Sequence, residues 1–142
     1  SPDIEINLFK ERNFSNECLI IASPRRTDDT WKFQYETQVN WETTYLSRAA
    51  RSGAIMFWLE KESEHDCSRA YAQTTRFELG EWLAKSELSK TPLVVGIQPG
   101  FTGERYIRHR LSSGDFGHIP VTNTLEETVE ATLHVLSYLE EE

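Results

Sequence analysis

At 142 residues the chain is long enough to bury a substantial core without staples and fits one domain, 1–142. Hydrophobic residues at 38%, four Trp and seven Phe supply a packed interior, so disorder is not expected outside the ends. The net charge of −8 argues against a nonspecific binder of nucleic-acid polymers or anionic membranes, and no run approaches the roughly 20 apolar residues of a membrane span.

Ser1-Pro2-Asp3 has the form of a helix start, and Ile4, Leu8 and Phe9 then fall near one helical face. "CLIIA", Cys18 to Ala22, is a short continuous apolar run that suits a buried parallel strand, with "SPRRTDDT" as the following loop. Trp31 to Ala50 contains neither Gly nor Pro and predicts a helix over much of its length, stopping near Ser52-Gly53. "GAIMFWL", Gly53 to Leu59, is the second buried strand. Phe77, Leu83 and Leu88 favour a helix from about Thr75 to Ser89, and "PLVVGI", Pro92 to Ile97, is the third strand. The turn-rich "QPGFTG" leads to a short helix in "RYIRHRL" and an edge strand in "HIPVT". Leu125, Val129, Leu133, Leu136 and Leu139 then mark an amphipathic helix capped by Thr124 or Asn123. Strands that are apolar throughout, alternating with helices, imply an α/β protein with an open parallel sheet covered on both faces.

In such sheets ligands bind beyond the carboxyl ends of the strands, which places the loops after Ala22, Leu59 and Ile97 on one rim. Cys18 and Cys67 form no Cys-x-x-Cys pair and read as reduced thiols of a cytoplasmic protein. His65, His109, His118 and His134 are scattered without metal-ligand spacing, so neither a metal nor a cofactor is implied. "TTRFELGEW" sets Glu78 between Phe77 and Leu79 near the start of a helix. An acid there is either stabilised by the helix dipole or held as a nucleophile, and both explanations fit the residues.

"PRR" after the first strand, "QVNWE" with Leu46 beyond it, "IMFWL", "TTRFELGEW" and "LVVGIQPGF" occur in that order over roughly residues 4–103. The ordered set resembles the nucleoside 2-deoxyribosyltransferase family, in a variant with Phe-Trp on the central strand. The resemblance implies a flavodoxin-like fold and cleavage of an N-glycosidic bond, with Glu78 as the nucleophile and Glu42 orienting it and the sugar. The substrate expected is a small-molecule nucleoside or nucleotide, and a homo-oligomer whose copies complete one another's sites is implied. A nucleobase in such a site calls for stacking, for which Trp58 and Trp41 are the candidates beside their ordinary role as core residues. Arg25 and Arg26 are candidates to hold a base carbonyl or a 5'-phosphate, or are a solvated pair. Arg76, Gln73 and Tyr71 are candidates to donate a proton or hydrogen bond to the leaving base. The chain departs from the family pattern at its start, where the first strand and its Gly-containing loop are missing, so an incomplete record of a longer protein is expected. It departs again at Gly53, where an Asp commonly opens the central strand. Two rivals share the scaffold: a deoxynucleoside 5'-monophosphate N-glycosidase that hydrolyses its substrate, and a catalytically silent nucleoside-binding or interaction domain.

Overall fold

A computed structural model describes residues 13–14, 17–18, 35–68 and 70–140. The helix expected from Ser1, the run Leu19–Ala22 and the loop carrying Arg25 and Arg26 lie outside the described residues. Cys18 departs from the parallel strand expected of it. It pairs antiparallel with Asn13, in a ladder of β1 (Asn13–Phe14) and β2 (Glu17–Cys18). Only two residues separate these strands in sequence, which is hairpin spacing, so a local partner competes with the long-range one.

The centre of the molecule is a parallel sheet in the order β3-β4-β5, formed by Ile55–Leu59, Leu93–Ile97 and Val121–Thr122. Ile55 pairs with Leu93 and the register runs unbroken to Leu59 and Ile97; β5 joins through Val95 with Val121 and Gly96 with Thr122. Among the described residues four α-helices alternate with these strands: α1 (Tyr35–Ser52), α2 (Gln73–Ser89), α3 (Glu104–Leu111) and α4 (Leu125–Glu140). The result is the open parallel sheet that the apolar strand runs predict, in a flavodoxin-like α/β order.

The alternation of side chains along the strands divides the core into two layers. On one face Ile55, Phe57, Leu59, Leu93, Val95 and Ile97 bury against Leu79 and Trp82 of α2 and against Phe101, Leu111 and Ile119. Leu46, Ala49 and Ala50 of α1 and Ile107 of α3 pack against the same cluster. On the other face lies α4, with Thr128 fully buried where it meets Gly96. Gly96 is demanded by that approach: a methyl group there would overlap Thr128 Oγ1 and sit 2.7 Å from Trp58 Cε3.

Local signals explain the helix ends. Gly53 N–H closes α1 by donating to Ala49 O at 2.8 Å. At α4, Thr124 Oγ1 accepts from Glu127 N at 3.1 Å while Glu127 Oε1 accepts from Thr124 N at 3.1 Å. This reciprocal capping box makes Thr124 the cap, and Thr-x-x-Glu is its sequence signature. The inward face of α2 is not the one that Phe77, Leu83 and Leu88 suggest. Phe77 and Leu88 are 75% and 91% exposed, and Leu79, Trp82 and Ser86 form the buried stripe. Leu79 and Trp82 are three residues apart and Trp82 and Ser86 four, which is the helical spacing that the sheet selects.

Because the layer between β4 and α4 has no spare room, Gly96→Ala is expected to destabilise the fold by about 1–3 kcal/mol through overpacking. The measurement is urea unfolding, read as a lower midpoint at unchanged slope. A midpoint equal to that of the parent protein would show that Thr128 and Trp58 can give way.

Candidate functional site

Helices α1 and α2 both run back toward the starts of the strands that follow them, so both begin at the rim where the parallel strands end. Glu42 lies about two turns into α1 and Glu78 about one and a half turns into α2, which sets them at similar heights on neighbouring helices. Both side chains are half-buried.

The charge of Glu42 bears on the ionisation of Glu78. Burial, followed by the negative charge of Glu42 and then that of Glu81, pushes its carboxyl up to about 7. Glu81 is exposed and is also engaged by Lys85, whose Nζ lies 2.9 Å from its Oε2. Desolvation is the largest cause, Glu42 supplies the repulsion from the other helix, and Glu81 adds the smallest part. An acid stabilised mainly by a helix dipole would be shifted the other way. The upward shift of Glu78 thus has burial and like charge as its causes.

The surrounding rim is a network of loop contacts. Tyr71 Oη donates to Glu60 O at 2.7 Å, and burial followed by the charges of Glu60 and Glu62 raises its phenol above the usual range despite the opposing charge of Arg76. Lys61 N–H donates to Gln98 Oε1 at 2.8 Å, tying the loop after β3 to the loop after β4. In the second loop Gly100 takes φ 101°, a left-handed conformation that favours glycine, and its N–H donates to Glu104 Oε1 at 2.7 Å. That hydrogen bond, followed by one from Arg108, holds the Glu104 carboxyl below its usual range.

The remaining candidates divide sharply. Arg76 is committed to the protein: its Nε donates to Tyr71 O at 3.0 Å, its Nη2 to Thr102 O at 2.6 Å, and its Cζ lies 4.4 Å from the centre of the Phe101 ring. Tyr71 has likewise given its only hydroxyl proton to a backbone carbonyl. In this structure both support the rim through these contacts. Gln73 is exposed at the first position of α2 and keeps its place as a donor candidate. Trp58 is corrected. It is 5% exposed and lies over Gly96, so it fills the core rather than offering an open stacking face. Trp41 is 37% exposed and lies against Tyr45, with ring centres 4.7 Å apart and tilted by 42°. Arg25 and Arg26 lie outside the described residues.

Sequence reasoning missed the stapling of the rim by Gln98 and Glu104. Glu104 four residues after Gly100 was a usable signal, since an acid in the first turn of a helix often reaches back to a preceding N–H. Nothing in the sequence marks the partner of Gln98, whose contact spans 37 positions. Among the described residues no group of three or more His, Cys, Asp or Glu is placed to hold a metal ion, and no helix is long and apolar enough to cross a membrane. Compared with protein-family models, curated proteins and solved structures, the chain finds no significant match in any of the three.

A carboxyl raised from 4.5 to about 7 binds its proton more tightly folded than unfolded. Stability is therefore lost as pH rises between those values, and the penalty is complete above about 7. Glu78→Gln is expected to stabilise the protein relative to the parent at pH 8 but not at pH 4. Allowing for solvent screening of a half-buried group, the gain is about 1–2 kcal/mol. Paired urea melts at the two pH values check it; an equal effect at both would mean that Glu78 titrates normally.

Proposed function

We propose that the protein cleaves the N-glycosidic bond of a 2'-deoxynucleoside through Glu78 and transfers the 2-deoxyribosyl group to another nucleobase. The observation that carries this reading is the half-buried carboxyl of Glu78, destabilised as an anion by its burial and by Glu42 on the neighbouring helix. The resemblance of the "FELG" block and its companions to the nucleoside 2-deoxyribosyltransferases supplies the reaction class.

The electrostatics suit that chemistry. Breaking the bond between C1' and the base nitrogen builds positive charge on the sugar, and an anion that is poorly solvated at rest gains most from such a charge. The Glu78 carboxylate attacks C1', and the base departs with the bonding electron pair and takes up a proton. The resulting glycosyl ester holds the sugar until a nitrogen of the acceptor base attacks C1' and frees the carboxylate. Two inversions give net retention, as in retaining glycosidases. Glu42, a second acid beside the nucleophile, keeps its affinity for protons high and so keeps it a better nucleophile near neutrality.

The test is incubation with deoxyinosine and free adenine, followed by chromatography. Deoxyadenosine is the expected product, and Glu78→Ala is expected to reduce its formation at least about 10³-fold. Release of free deoxyribose phosphate from a deoxynucleoside monophosphate, with no transfer, would replace transfer by hydrolysis. Binding without turnover of any of these substrates would remove catalysis altogether.

The rate should also follow the ionisation of Glu78. The ascending limb of kcat/KM against pH is expected near 7, the value that burial and Glu42 impose on the free protein. In Glu42→Gln one like charge is gone, so the limb should move to lower pH. A limb that stays in place in that variant would exclude Glu42 as the neighbour that sets it.

A further inference from the structure

The start of α2 has little of its own to hold it in place. Ala72 precedes the helix in a left-handed conformation, φ 56°, and makes no side-chain cap. The contacts of Arg76 make up for that. Its guanidinium reaches Tyr71 O, just outside the helix, at 3.0 Å and Thr102 O, in the loop between β4 and α3, at 2.6 Å. Its Cζ lies over Phe101, 4.4 Å from the centre of that buried ring. The loop it grips is itself rigid: Phe101 N–H donates to Gln98 O at 3.0 Å, Glu104 N–H to Phe101 O at 3.0 Å, and Arg108 Nη2 to Ile97 O at 2.8 Å. A continuous set of contacts therefore runs from the end of β4 to the first turns of α2.

Residues two apart on an α-helix point to nearly opposite sides. Arg76 turns α2 toward the β4–α3 loop, and Glu78 is on the side influenced by Glu42 of α1. We propose that Arg76 is a positioning residue, a latch that fixes α2 against the rim loop and thereby sets the separation of Glu78 from Glu42. Only a planar, forked cation can donate to two carbonyls while stacking on a ring; a lysine ammonium makes at most a point contact. The effect on catalysis rests on the glycosyl-transfer reading, whereas the effect on the latch and on the carboxyl does not.

Arg76→Lys and Arg76→Met test it, with three readouts on each. Amide exchange at Gly100, Phe101 and Glu104 reports the loop. The titration of the Glu78 carboxyl carbon by NMR reports the site, where Glu42 from α1 and Glu81 from α2 are the charges acting on it. The kcat and KM for transfer report the reaction. Both variants should exchange these amides faster, by about tenfold in Arg76→Met. The midpoint of Glu78 should fall by about one pH unit as the carboxyl gains water and distance from Glu42. Transfer should lose about tenfold in kcat with KM little changed. Faster loop exchange with the Glu78 midpoint unmoved would reduce Arg76 to a local staple, and unchanged exchange would remove the latch itself. If Arg76→Met fails to fold, Arg76→Lys decides. If the parent protein shows no transfer, the glycosyl-transfer reading falls, while exchange and titration still judge the latch.

Discussion

Everything in this protein depends on the parallel register between β3 and β4. Ile55 to Leu59 and Leu93 to Ile97 pair residue for residue, with Val94, Val95 and Ile97 wholly inaccessible to water. A parallel ladder needs both faces covered, because its strands are apolar on both sides and their crossovers must be helices. That requirement brings α1, α2 and α3 to one face and α4 to the other, and it delivers the loops after both strands to a common rim. The close seating of α4 at Gly96 shows how little freedom is left once the register is set.

The rim then works against the interior's preference. Apolar burial favours bringing α1 and α2 together over Phe57 and Leu59, yet the same approach brings Glu42 and Glu78 into one another's field and withdraws water from Glu78. The cost of that juxtaposition is met by the packing of Leu79 and Trp82 directly beside it on α2. A carboxyl maintained in this way is poised to respond to any positive charge placed at the mouth of the sheet. The loop network of Gln98, Glu104, Arg76 and Tyr71 holds the framework of the rim.

Much of this was legible in the chain itself, and the residues show why. "IMFWL" and "LVVGI" are too uniformly apolar to be anything but buried strands, and Thr124 with Glu127 announces the start of α4 in a four-residue code. The start of α2 at Gln73, two residues before the position expected, was less legible, because Ala72 has no side chain that can cap the helix. Its inner face was misread for a related reason. Phe77 and Leu88 are apolar and suggested one stripe, but the sheet takes Leu79, Trp82 and Ser86, and the choice between stripes is made by what the helix packs on. Trp58 followed the same logic in reverse: its place at the end of a strand suggested a ligand surface, and the pleat turned it toward α4.

By itself the sequence determined the alternation of strand and helix, the parallel sheet and the rim on which Glu78 would stand, because these follow from local apolar runs and from the connections that such runs permit. The tertiary structure alone decided that Glu78 is half-buried within the field of Glu42, that Arg76 and Tyr71 donate to backbone carbonyls, and that Trp58 lies inside. Those outcomes depend on distances between residues remote in the chain. Coulomb repulsion, desolvation and hydrogen bonding act through such distances, and sequence spacing does not encode them.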